Sequence, residues 1–287
     1  MNIVRRSILF HGLKSRANSE MQACLNTRCS EEGAHYINLP AERRFKVFHY
    51  FPEKPSRPVG IVYVPGFRST SRGNKARRLL EHCQESQLEF VRYDPEGLGD
   101  SPHNPRELEF AHWIDNAESA MNCIKSERVV LVGSSLGGLI SLKLALKHPG
   151  RVSALFLICP ALSTLSKSYQ RWRETQSKES LDKIDSGEVF TFKGDGMPPL
   201  STTKRLLETQ AMEDIDAASP VNVSCPMVIL HGMQDESVPP DTSFALAENV
   251  LSPKVDLVLR KDGDHRLSRE EDLSLMMGCL DRLINSL

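Results

Sequence analysis

One stretch constrains the fold more than any other: Arg128-Val129-Val130-Leu131-Val132-Gly133-Ser134-Ser135-Leu136-Gly137-Gly138. Val129 to Val132 is a continuous β-branched and aliphatic run, the pattern of a central strand buried on both faces of a parallel sheet. Leu139, Ile140, Leu142, Leu144, Ala145 and Leu146 then give apolar faces to a helix that stops near His148-Pro149-Gly150. Between strand and helix lies G-x-S-x-G. At such an elbow the two backbones approach too closely for side chains two residues either side of the serine, which explains Gly133 and Gly137. The turn lifts the Ser135 hydroxyl clear of the sheet, and the N–H of Leu136, at the helix N-terminus, points at whatever that hydroxyl attacks.

The flanking pattern repeats. Gly60 to Val64 reads as a core strand ending in the turn Pro65-Gly66-Phe67-Arg68-Ser69, followed by a helix through Leu79, Leu80 and Cys83 and a strand at Leu88 to Tyr93. Ahead of these, His35 to Leu39 and Arg43 to Phe51 read as an antiparallel entry to the sheet. Asn104-Pro105-Arg106-Glu107 has the form of a helix start, with Asn as N-cap, and Leu108 to Ile124 carries a buried stripe. Val152 to Cys159 is a further core strand. Cys225 to Gly232 and Val255 to Leu259 are the last two strands, separated by a helix from about Asp241 to Leu251. Ser268 with Glu271 is placed to cap the final helix. Alternating strands and helices of this kind predict an α/β fold with a mainly parallel, doubly wound sheet. From Ala161 to about Pro220 the chain turns polar and helix-rich and is broken by Gly194-Asp195-Gly196-Met197-Pro198-Pro199, so 161–220 reads as a helical lid inserted over the active-site face.

Functional residues of open α/β sheets gather at the carboxyl ends of the strands. Three candidates do so here, in the order Ser135, Asp235 and His265. A serine hydroxyl needs a base to take its proton as it attacks, which His265 can supply. A carboxylate on the other ring nitrogen fixes the tautomer and steadies the imidazolium, which Asp235 can do. The neighbours Ser134, Glu236 and Asp264 are rivals by adjacency. Ser134 stands in the wrong place between the glycines, Asp264 suits a backbone contact within its loop, and Glu236 is the runner-up acid. A second donor for a developing oxyanion is expected from the N–H of Phe67, beside Leu136. Arg266, next to the histidine, is a candidate for holding a substrate carboxylate, the alternative being that it pairs with Asp264, Glu270 or Asp272.

Composition excludes other classes. Lys plus Arg (36) nearly balances Asp plus Glu (37), for a net charge of −1, so no overall field favours nucleic acid. No apolar run reaches the roughly 18 residues of a membrane span. The turn Asp94 to Ser101 has neither the P-loop nor the GxGxxG form, so it is not read as a nucleotide site. The seven cysteines show no metal-ligand spacing and suit a reducing compartment, and neither a metal nor a cofactor is expected. Residues 1 to about 30 are basic and serine-rich, with Glu20 the only acid before Glu31, and Ile3, Val4, Ile8, Leu9 and Leu13 could form one helical face. That is the pattern of an organellar transit peptide, leaving 31–287 as the folded domain.

Taken in order, Pro65-Gly66-Phe67, Asp94 to Ser101, the serine elbow, His231-Gly232-Met233-Gln234-Asp235 with Val238-Pro239, and Asp264-His265-Arg266 resemble the α/β-hydrolase superfamily over residues 35–287. Leu259-Arg260-Lys261 leading into the histidine loop, together with the paired serines, is similar to a mitochondrial branch of it. The resemblance implies cofactor-free hydrolysis of S-acylated protein cysteines and of acyl glucuronides, with Ser135, Asp235 and His265 at the triad positions and Phe67 and Leu136 at the oxyanion positions. It also implies a mitochondrial rather than cytoplasmic location. Glu96 departs from the family, where an arginine is frequent, and puts the contacts beneath the site in question. A general carboxylesterase or serine peptidase of the same fold is the rival among enzymes. A catalytically silent ligand-binding protein is the rival of another class.

Overall fold

The structure, a computed structural model, describes residues 29–192 and 197–287. The basic N-terminal segment read as a transit peptide lies outside the described residues but for its last two. Ten strands and eight helices are described: β1 (Cys29–Asn38), β2 (Arg44–Phe51), β3 (Val59–Val64), α1 (Asn74–Glu85), β4 (Glu89–Asp94), α2 (Phe110–Asn122), β5 (Arg128–Ser134), α3 (Leu136–Lys147), β6 (Val152–Ile158), α4 (Thr164–Glu174), α5 (Lys178–Asp185), β7 (Phe190–Phe192), β8 (Leu200–Thr202), α6 (Lys204–Ala211), β9 (Met227–Gly232), α7 (Asp241–Asn249), β10 (Val255–Arg260) and α8 (Glu270–Asn285).

Eight strands form one sheet in the order β1-β2-β4-β3-β5-β6-β9-β10. The β1–β2 and β2–β4 pairs are antiparallel and every later pair is parallel, which is the doubly wound sheet with an antiparallel entry that the sequence predicts. Strand alternation sends Val129 and Leu131 of β5 into a core shared with α2, α3 and α7. Val130 and Val132 enter the opposite core, shared with α1 and α8. Two-sided burial is why β5 has no polar residue between Val129 and Val132.

Two helix starts differ from the sequence reading. Asn104 does not begin α2: its side chain accepts from the N–H of Arg106 and its carbonyl from those of Glu107 and Leu108, making a turn. The helix begins at Phe110, whose N–H donates to the Thr209 hydroxyl of α6 at 3.0 Å, a tertiary contact standing in for a local cap. In α8 the cap lies one residue later than Ser268 and Glu271 suggest: the Asp272 carboxylate accepts from the Arg269 N–H and from its guanidinium. Between β6 and β9 the chain forms α4, α5, the small hairpin β7–β8 and α6, and none of the strands among the described residues there joins the main sheet. No helix among the described residues is long and apolar enough to cross a membrane.

Candidate active site

Ser135 is the single residue between β5 and α3, and its backbone has φ 52° and ψ −119°. A non-glycine residue there costs roughly 1–3 kcal/mol and persists only when its surroundings determine it. Here they do: the Ser135 N–H donates to Ile158, and its carbonyl accepts from Gly138 and Ala161. The flanking glycines are required by contact. A Cβ on Gly133 would lie 2.5 Å from both the Gly137 carbonyl oxygen and the Ser141 hydroxyl, and one on Gly137 would run into the Val64 carbonyl. Ser134, by contrast, ends β5 and pairs with Ile158 of β6.

The other two candidates converge on the nucleophile from loops stitched to each other. Asp235 follows β9 and His265 follows β10, and the backbone N–H groups of Met233 and Gln234 donate to Arg260 and Gly263, tying one loop to the next. The Asp264 carboxylate accepts from the N–H groups of Arg266 and Leu267, the backbone contact expected of it, and so shapes the turn that presents His265. The outcome is a relay: His265 Nε2 lies 3.0 Å from Ser135 Oγ, and His265 Nδ1 lies 2.7 Å from Asp235 Oδ2. Because the carboxylate can only accept, the proton of a neutral His265 sits on Nδ1, leaving Nε2 free to accept from the serine.

Asp235 is buried, and burial pushes its carboxyl toward the neutral form. Hydrogen bonds from His231, His265 and the Val238 N–H outweigh that and hold it well below the usual carboxylate range. Oδ1 accepts from the N–H groups of Ser237 and Val238, each at 2.8 Å, and Oδ2 faces both imidazoles. Glu236, the rival acid, is exposed. His231 was not singled out by sequence, since a histidine in an apolar strand reads as core. Wholly buried, it places Nε2 3.0 Å from the Val238 carbonyl and 3.2 Å from Asp235 Oδ2, and Nδ1 2.6 Å from the Ser243 hydroxyl. The carbonyl requires a proton on Nε2, so Nδ1 accepts from Ser243. The spacing of four between His231 and Asp235 is the signal that could have revealed it.

Ser135 and His265 open into a cleft of about 650 Å³ that Phe67, Leu136, Leu165 and Arg266 help to line. Leu136 opens α3, so its N–H has no intrahelical acceptor. The Phe67 N–H is engaged by none of the hydrogen bonds among the described residues, and its loop lies against the nucleophile: a Cβ on Gly66 would come within 3.1 Å of the Ser135 Cβ. Exposed Arg266 lines the cleft, while Asp272, one of its suggested partners, is taken up by Arg269 and Arg260. Glu96 is buried, accepting from the Arg43 guanidinium and the Asn116 amide, so a carboxylate stands where an arginine is frequent in the family and pairs with one that immediately precedes β2.

A serine at a strained elbow, within hydrogen-bonding reach of a histidine that an acid orients, on a sheet of this topology, defines a hydrolase of the α/β class. The α/β-hydrolase fold family model matches residues 61–180, and the chain belongs to that family. Within it, the chain is 34% identical over 230 residues to the mouse mitochondrial palmitoyl-protein thioesterase ABHD10, a match covering 79% of this chain and 76% of that protein. The human protein of the same name is 32% identical over 287 residues, covering 98% and 88%. The solved structure of mouse α/β-hydrolase domain-containing protein 10 superposes with a TM-score of 0.74 at 29% identity, over 88% of this chain and 99% of that one.

Proposed function

We propose that this α/β-hydrolase is a serine hydrolase of acyl thioesters and esters, acting on S-acylated protein cysteines and on acyl glucuronides. The observation that carries the reading is the continuous relay from Ser135 Oγ through His265 to Asp235. The similarity to proteins named palmitoyl-protein thioesterase supports the substrate class. Ser135 attacks the acyl carbonyl as its proton passes to His265 Nε2. The N–H groups of Leu136 and Phe67 hold the oxyanion. As the tetrahedral intermediate collapses, the imidazolium returns that proton to the departing thiolate or alkoxide, leaving an acyl-serine. Water, deprotonated by the same histidine, releases the carboxylic acid and restores the serine. No step calls for a metal or cofactor. The N-terminal segment would serve as a transit peptide of a mitochondrial protein, a location in keeping with relatives named mitochondrial, and residues 161–220 would act as the lid that selects the acyl chain.

Fluorophosphonate labelling with turnover of a palmitoylated peptide, a p-nitrophenyl acyl ester and an acyl glucuronide tests this. The expected result is labelling of wild type, none of Ser135→Ala, and a loss on the order of 10⁴-fold or more in turnover of all three. A well-folded wild type that takes no label would establish a silent binding protein instead. Label with turnover of simple esters only would establish a general carboxylesterase.

A further inference from the structure

We infer that the segment inserted between β6 and β9 holds the oxyanion loop in place, and that Arg68 is the positioning residue through which it does so. The inference rests on the acyl-transfer reading and on the N–H of Phe67 as an oxyanion donor. Arg68 follows Phe67 directly, has φ 57°, and is only 4% exposed although it carries a charge. Its guanidinium reaches the insertion, where Nε donates to the Pro198 carbonyl at 2.8 Å and Nη2 to the Met197 carbonyl at 3.1 Å. Phe67 itself makes the second attachment. Its ring meets Phe192 of β7 edge-on, with centroids 5.4 Å apart at 85°, and tilts against Trp113 of α2 at 6.0 Å.

Within the loop itself, backbone pairing among the described residues is sparse. The turn is closed by one backbone bond, from the Ser69 N–H to the Gly66 carbonyl at 3.0 Å. A donor N–H acts on an oxyanion only at hydrogen-bonding distance from where the charge develops, and losing one such donor costs on the order of 10²–10³ in turnover. Arg68 is suited to hold that distance, because its rigid planar fork serves two neighbouring carbonyls at once, whereas the ammonium of a lysine is a single point on a flexible stem. The insertion therefore sets the geometry of the reaction as well as lining the cleft.

The test compares Arg68→Met, Arg68→Lys and Phe192→Ala with wild type in the full-length protein. The readouts are kcat and KM on an uncharged acyl ester, affinity for an alkyl boronic acid as tetrahedral mimic, and Tm. Arg68→Met should lower kcat on the order of 10²-fold with KM within about threefold, and the boronate affinity should fall in step with kcat. Arg68→Lys should recover part of both. Phe192→Ala, acting from the insertion rather than the loop, should lose kcat in the same proportion to boronate affinity. A merely structural role would lower Tm and the active fraction while leaving kcat per labelled site and boronate affinity unchanged, and that result overturns the inference. Wild-type kcat in all three variants overturns it as well, with the hydrolase reading intact. A wild type that takes no fluorophosphonate overturns both together.

Discussion

His231 Nε2 stands 3.2 Å from Asp235 Oδ2, the same carboxylate oxygen that His265 Nδ1 approaches to 2.7 Å. One imidazole is wholly buried and the other borders the cleft, so the carboxylate is gripped from β9 as well as by His265. His231→Leu should therefore lower kcat by roughly 10- to 100-fold, the range found when a group orienting an active residue is removed. It should also cost about 1–3 kcal/mol of stability, because the Ser243 hydroxyl and the Val238 carbonyl lose their partner. Urea titration with kinetics on an uncharged ester checks both. A variant as stable and as active as wild type would show that His231 only fills space.

Asp235→Asn should lower kcat by roughly 10³- to 10⁴-fold by leaving His265 in the wrong tautomer, while Glu236→Gln, at an exposed position, should cost little. The opposite ranking would reassign the acid. A stability consequence accompanies this one. The native Asp235 carboxyl is held below its unfolded value, so it contributes stability that is full above about pH 4 and is lost as pH falls through the native value. Asp235→Asn should flatten that part of the acid unfolding curve, and equal steepness in wild type and variant would contradict the hydrogen-bond assignment.

Glu96 tests the departure from the family pattern. Its carboxylate is buried and serves Arg43 at 2.8 Å and Asn116 at 2.9 Å, and its carbonyl accepts from the Trp113 indole at 2.9 Å. Glu96→Ala leaves a part-buried guanidinium with Asp115 as its counter-ion among the described residues and should destabilise by about 2–3 kcal/mol, below the range for a fully buried pair because Arg43 keeps some solvent. Thermal unfolding of Glu96→Ala, Arg43→Ala and the double variant separates the pair from the packing. Additive losses in the double variant would mean that the two do not interact.

Elements whose pattern is local were legible in the chain. Val129 to Val132 can only be a two-sided strand, and Gly133 and Gly137 mark the elbow because any Cβ there meets backbone. Ser135, Asp235 and His265 could be chosen by their places after β5, β9 and β10, since the parallel order puts those carboxyl ends along one edge of the sheet. What escaped was set by distant partners. Asn104 has every local mark of an N-cap, yet α2 starts six residues on, where Thr209 of α6 supplies the acceptor for Phe110. His231 looks like a core filler until Asp235, Val238 and Ser243 are seen around it. Arg68 looks like a surface turn residue, and only the fold brings Met197 and Pro198 to its guanidinium.

Arg266 is the candidate for a contact that selects substrates. It borders the cleft beside His265, its N–H donates to the Asp264 carboxylate, and its carbonyl accepts from the Lys75 ammonium, so its backbone is anchored while its exposed side chain lines the cleft. A planar guanidinium there can form a paired, charge-assisted contact with the carboxylate of a glucuronic acid. Arg266→Gln should then raise KM for acyl glucuronides by roughly tenfold, the value of about 1.4 kcal/mol of binding, while sparing uncharged esters and long-chain thioesters. Steady-state kinetics on the three substrates decides it. Equal losses on all three would assign Arg266 to the shape of the histidine loop, because a contact made only by the glucuronide carboxylate cannot slow a substrate that has none.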